Sequence, residues 1–231
     1  MWKIIKRILK WVMYIFIAFL ATSTCCAILY KFVNPPITPL MVIRLAGQGF
    51  SGQALKMKQD WVSLDSISPA LQLAVVASED NRFLEHNGFD INAIDQAREF
   101  NDTHKGKKIH GASTISQQTA KNVFLWPQRS WLRKGLEVYF TFLIEMVWSK
   151  KRIIEVYLNV IETGKGIYGA EAASLIYFNK HAASLSRSES ALLAAILPNP
   201  QKWDPRFPTN YVRSRQEWIL WNMGNIGKLD Y

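Results

Sequence analysis

The sequence predicts a mainly α protein: a single N-terminal transmembrane helix followed by one predominantly helical domain. Three observations carry this. An uncharged run extends from Trp11 to Tyr30, helix-capping residues precede one apolar-periodic segment after another, and alternating strand patterns are few and short. The 231 residues suit one anchor plus one domain able to bury a core and a cleft.

A run of about 20 uncharged residues is long enough to cross a ~30 Å hydrocarbon core as a helix. Lys3, Lys6, Arg7 and Lys10 precede it and only Lys31 follows closely. That asymmetry places the N-terminus in the cytoplasm and the remaining chain outside the inner membrane. A cleaved signal peptide shares the basic start and the apolar core, but its core runs to about 7–15 residues, and no small-residue cleavage pattern follows this one. The expected division is a basic cytoplasmic tail over 1–10, a transmembrane helix over 11–31, a linker and membrane-proximal segment over 32–64, and the domain over 65–231.

The formal charge is +10, of which +5 remains beyond residue 31. Such a balance favours an anionic partner: nucleic acid, a phospholipid surface or a phosphate-bearing substrate. Nucleic-acid binding would need a basic face in the cytoplasm, whereas the charge asymmetry points the domain outward. Cys25 and Cys26 are adjacent inside the apolar run and read as filler, since neither a disulfide framework nor a metal pair can be built from them. The domain is therefore insensitive to an oxidising compartment such as a periplasm.

Along the external chain, Asn34-Pro35-Pro36-Ile37-Thr38-Pro39 cannot continue a helix. Leu40 to Arg44 is the one stretch that reads as a short strand. Ser68 followed by Pro69 is an N-cap with proline at the first helical position, opening a helix through Leu71, Val75 and Val76. Ser130 caps a long helix in which Leu132, Leu136, Tyr139, Phe140, Leu143, Ile144 and Val147 recur at helical spacing, which predicts a central core element. Ser186-Arg187-Ser188-Glu189 is a capping box, and Pro198 with Pro200 stops the helix it opens. Thr209 caps a last helix ending near Gly224.

Three polar clusters carry chemistry. Glu79 to Gly88 leaves a packed helix end with two adjacent carboxylates, suiting either a cleft wall or a solvated helix terminus. Gly111 to Asn122 runs from a glycine turn through a Ser or Thr cap into a polar helix; its free N–H groups and dipole suit a phosphate, with Lys121 adding charge, and an ordinary capped helix reads the same way. Arg133-Lys134-Gly135-Leu136-Glu137 puts two cations and a carboxylate on one turn, either a diphosphate clamp beside an acid or a plain surface pair contributing about 0.2–0.5 kcal/mol. Glu145 reads as a structural partner of Lys150 or Arg152. Gly164 to Gly169 spells G-x-G-x-x-G but lies in no βαβ unit and is a turn. His86, His104, His110 and His181 are scattered, and no metal site is expected.

Together the clusters resemble the peptidoglycan glycosyltransferases, glycosyltransferase family 51, with signatures E-D-x-x-F-x-x-H-x-G, G-A-S-T-I-x-Q-Q and R-K-x-x-E. Similar blocks continue through Ser149 to Asn159, Gly164 to Phe178 and Arg187 to Pro200, so the likeness covers roughly residues 65–205; Gly47 to Leu64 matches nothing nameable. No S-x-x-K or K-T-G follows, so the likeness is to the monofunctional biosynthetic members rather than to those with a transpeptidase. The resemblance implies a domain lysozyme-like in part that joins a glycan on undecaprenyl diphosphate to the 4-hydroxyl of N-acetylglucosamine on another lipid II. It assigns Glu79 as general base and Glu137 to the leaving-group side, offset by Arg133, Lys134 and Lys121. Asp80, His86, Ser113, Thr114, Gln117, Gln118 and Asn122 would position sugars and phosphates. No cofactor is required, magnesium or manganese being an optional aid, and the implied partners are lipid II, the growing strand, the membrane and other cell-wall synthesis proteins. Some of Phe124, Leu125, Trp126 and Trp131 are expected to dip into the membrane interface, the alternative being core. A hydrolase of the same glycan would need no diphosphate clamp, and an inactive scaffold would need neither glutamate.

Overall fold

In the computed structural model, which describes residues 2–104 and 111–231, Trp2–Phe32 forms one continuous helix, α1. The basic residues from Lys3 to Lys10 lie inside it, so the helix begins earlier than the uncharged run. It is long and apolar enough to cross a membrane, its most apolar 18-residue stretch having a mean hydropathy of 2.2. Residues 2–19 are exposed, whereas the later turns dock on the rest of the chain. The Ser23 hydroxyl meets that of Tyr139 at 2.7 Å, Trp148 Nε1 donates to the Ala27 carbonyl at 2.7 Å, and the Arg152 guanidinium donates to the carbonyls of Tyr30 and Val33. Cys25 and Cys26 are exposed, unpaired thiols.

Prolines 35 and 36 end α1, and Thr38 accepts from Met41 N to open α2 (Pro39–Phe50). The strand expected over Leu40 to Arg44 is therefore helix: a threonine cap with proline at the first helical position outweighs a five-residue alternation. Next come β1 (Lys58–Gln59), α3 (Pro69–Glu79), α4 (Ile91–Thr103), α5 (Ile115–Phe124), α6 (Trp131–Val147) and α7 (Lys150–Val160). The chain finishes with β2 (Glu162–Gly164), β3 (Ile167–Tyr168), α8 (Ala170–Phe178), α9 (Arg187–Ile196) and α10 (Asn210–Ile226). The architecture is mainly α, and the three short strands form one sheet in the order β1-β3-β2.

Predicted caps at Ser68, Ser130, Ser186 and Thr209 each accept a backbone N–H at the start of their helices, and Ser186 with Glu189 forms the full box. The last helix runs past Gly224 to Ile226, where Gly227 turns the chain at φ 78°. Two groups of helices make the core: α3 with α9 and α10, and α5 with α6 and α7. The centre belongs to α3, buried continuously from Leu71 to Ala77, and to α7, buried from Val156 to Val160. The predicted central role of α6 is corrected. Phe140, Leu143 and Ile144 are buried, but Trp131, Leu132, Val138, Phe142 and Met146 are exposed, so α6 is an edge helix with a second apolar face.

The G-x-G-x-x-G segment is the β2–β3 hairpin and the start of α8, as its reading as a turn requires. Gly166 has φ 71°, and a Cβ there would lie 2.2 Å from the Lys56 carbonyl oxygen. That close approach seats β1 against β3, with Lys58 N donating to Gly166 O at 2.8 Å. His110 lies outside the described residues.

Candidate active site

Glu79 is the last residue of α3, half-buried at the floor of a cavity of about 530 Å³ lined also by Asn81, Arg82, Gln96, Ser113 and Trp218. Its oxygens are held from two sides. Gln118 Nε2 donates to Oε2 at 2.9 Å and the Ser78 hydroxyl to Oε1 at 3.1 Å. Behind Gln118, the Tyr157 hydroxyl donates to Oε1 of the amide at 3.3 Å. Burial pushes the Tyr157 phenol well above its usual range, and the Glu79 and Asp80 carboxylates add to the shift. Tyr157 therefore stays a donor, which turns the amide nitrogen of Gln118 toward Glu79.

Asp80, though adjacent, is engaged elsewhere. It is buried, its Oδ1 meets His86 Nε2 at 2.8 Å, and its Oδ2 accepts from Ile115 N at 3.0 Å. The backbone of α5 begins against this carboxylate, and a capping box between Thr114 and Gln117 takes two more N–H groups. Of the two readings the sequence left open for the α5 N-terminus, the ordinary capped helix describes Thr114, Ile115 and Gln117, whose N–H donors already have protein acceptors. Thr114 also donates to the Gly88 carbonyl at 2.7 Å. Through these bonds Asp80, His86, Thr114 and Gln117 hold α5 in place; Asp80 and Thr114 also line the first cavity and Gln117 a second, and the exposed Ser113 lines both.

The second of these cavities, about 470 Å³, contains Gln117, Gln118, Lys121, Asn122, Arg133, Lys134 and Glu137. Glu137 is buried, with a side chain only 4% exposed; Arg133 Nη1 donates to Oε2 and Lys134 Nζ to Oε1, each at 2.5 Å. This is no surface pair. A buried carboxylate here is tolerated because two cations and their hydrogen bonds offset its lost hydration. Arg44 and Arg129 add positive charge to the same cavity, against one further acid, Glu162, which pairs with Arg44 at 3.1 Å. Burial depresses the Lys121 ammonium below the usual lysine range, with Glu137 opposing and Arg133 reinforcing the shift. Among the described residues, Arg133 Nε and Asn122 Nδ2 are buried without a protein partner. Excess cations and orphaned donors in one cavity suit an anion with several oxygens.

Glu145 is structural, as expected: it takes the Ser116 hydroxyl and Lys150 Nζ, the latter at 2.7 Å. Sequence reasoning missed Ser78, Tyr157 and Arg215, whose guanidinium lies 3.6 Å from Glu79 Oε1. Of the four residues for which interface and core were both open, Leu125 is buried and Phe124 and Trp126 pack on the core, whereas Trp131 is 93% exposed. Among the described residues no three His, Cys, Asp or Glu side chains come together as a metal cage. Both Glu137 oxygens are already engaged by cations, so this carboxylate offers no ligand to magnesium or manganese unless one cation is displaced.

A carboxylate facing one cavity and a cation-flanked carboxylate facing the next suit proton transfer beside an anionic group. Residues 48–224 match the Transglycosylase family, and the chain belongs to it. It is 55% identical to a biosynthetic peptidoglycan transglycosylase of Bacteroides thetaiotaomicron, covering 97% of this chain and 90% of that one. Proteins with the same description from Rhodospirillum centenum and Pseudomonas aeruginosa are 56% and 46% identical, over 84% and 98% of this chain and 80% and 95% of theirs. The matched region includes residues 48–64, which the sequence left without a role and which supply β1.

Proposed function

We propose that this chain polymerises lipid II into the glycan strands of peptidoglycan, forming β-1,4 links with inversion and releasing undecaprenyl diphosphate. The observation that carries the reading is the pair of cavities meeting at Ser113, with Glu79 in one and Glu137 among Lys121, Arg133 and Lys134 in the other. Glu79 takes the proton from the acceptor 4-hydroxyl as that oxygen attacks the anomeric carbon of the growing strand. The diphosphate departs on the opposite face, where Lys121, Arg133, Lys134 and the Asn122 amide meet its developing charge. Glu137 acts by holding Arg133 and Lys134 in place.

The anchor fits this substrate. With its N-terminus cytoplasmic, α1 leaves the domain outside the inner membrane, at the leaflet where a lipid-linked donor is held. Because residues 19–33 dock on the domain, the exposed apolar face of α6 lies beside the spanning helix and supports seating at the bilayer surface. The test is polymer formation from labelled lipid II by purified full-length protein. Wild type should give polymer that lysozyme digests, and Glu79→Gln should lower the rate by about 10²–10⁴-fold. Shortened preformed strands with no new polymer would instead make the protein a hydrolase.

A further inference from the structure

We propose that Arg215, on α10, is a positioning residue that fixes the orientation of the Glu79 carboxylate, an inference that rests on Glu79 being the base. Gln118 holds Oε2 from the α5 side, which leaves Oε1 to be fixed from the other. There Arg215 Nη2 stands 3.6 Å from Oε1 and donates to the Ser78 hydroxyl at 3.1 Å, and Ser78 in turn donates to Oε1 at 3.1 Å. Because Arg215 occupies an acceptor lone pair of Ser78, the hydroxyl proton is directed at Glu79. The carboxylate is thus held at both oxygens where it lines the cavity.

The arginine itself is held. Its guanidinium lies 5.9 Å from the ring centre of Trp218, one turn along α10, and Trp218 lines the Glu79 cavity. The helix that carries both is tied down beside them: Asn222 Nδ2 donates to the Ala77 carbonyl at 3.3 Å and Gln216 Nε2 to the Ser188 carbonyl at 2.8 Å. One end-on nitrogen serves both Ser78 and Glu79, so a point charge suffices where a planar fork is not used. A base turned away from its proton loses rate without losing ground-state binding.

Initial rates of full-length protein across lipid II concentrations test this. Arg215→Gln should lower kcat by about 10- to 100-fold with KM within about twofold, the cost of losing a charged hydrogen bond. Arg215→Lys should recover most of that loss, and Ser78→Ala should lower kcat less, again at constant KM. The inference is overturned if Arg215→Gln keeps wild-type kcat, or if the Gln and Lys variants lose activity equally and melt at the same lowered temperature. Glu79→Gln run alongside separates the two readings. An inactive Glu79→Gln beside a fully active Arg215→Gln refutes the arginine's role alone, whereas an active Glu79→Gln removes the base assignment beneath it.

Discussion

Replacing Asp80 should unfold the protein more readily before it affects any substrate contact. The buried carboxylate makes two bonds to the protein, 2.8 Å to His86 Nε2 and 3.0 Å to Ile115 N, and it is the latter that starts α5. Removing one partner of a buried charged pair costs about 3–5 kcal/mol, and Asp80→Ala does so while stranding a buried imidazole and the Ile115 N–H. For a chain of this size each kcal/mol lowers the melting temperature by roughly 2–4 °C, so Asp80→Ala should melt about 6–20 °C lower. Asp80→Asn keeps the shape and one acceptor and should lose well under half of that. Circular-dichroism melts in detergent, paired with lipid II polymerisation far below either midpoint, check this. If Asp80→Ala melts within about 2 °C of wild type and is nonetheless inactive, Asp80 acts on the substrate and the structural account of it fails.

Gly88 stands at φ 87° with Thr141 Cγ2 and Glu145 Cγ only 2.8 and 2.9 Å from where a Cβ would be, so Gly88→Ala should destabilise by about 1–3 kcal/mol, readable as a lowered melting temperature. Burial lowers the pKa of Lys121, so this ammonium loses its proton at a lower pH than an ordinary lysine, and the alkaline limb of kcat/KM should fall below the usual lysine range. Lys121→Arg, which keeps its charge, should move that limb to higher pH; an unmoved limb would assign it to another group. Trp131→Asp with Phe142→Asp should weaken turnover of lipid II in vesicles, since a charge costs about 2.5–3.5 kcal/mol at the bilayer centre and less toward the interface, while leaving the melting temperature in place. Equal rates in vesicles and in detergent for that variant would remove the α6 face from the membrane.

What the sequence made legible was local. Caps at Ser68, Ser130, Ser186 and Thr209 could be read because cap and helix lie within four residues of each other, and the Arg133–Glu137 cluster because its spacing is one helical turn. What escaped was non-local. Whether the N-terminus of α5 is an anion site or an ordinary cap stays open in the sequence, because Asp80, 35 residues earlier, accepts the Ile115 N–H. Arg215 sits 136 positions beyond Glu79 outside every recognised motif, and no spacing rule links them. The burial of α6 was misjudged for a related reason: periodicity finds an apolar face but does not say that the opposite face is apolar too, as Trp131, Val138, Phe142 and Met146 make it.

These non-local contacts explain how the two carboxylates can work as one site. Gln118, Lys121 and Asn122 lie three and four residues apart on α5 and so share one face. Gln118 at one end grips Glu79, and all three line the cavity of Glu137. Lys121 feels both carboxylates. On the proposed function the helix is the spacer between proton acceptance at Glu79 and diphosphate departure beside Glu137. Its start is held by Asp80 on Ile115 N and by the Thr114–Gln117 box. Thr114 and Gln117, which also line the two cavities, fix the first turn of the helix whose later turns, on the proposed function, meet the substrate.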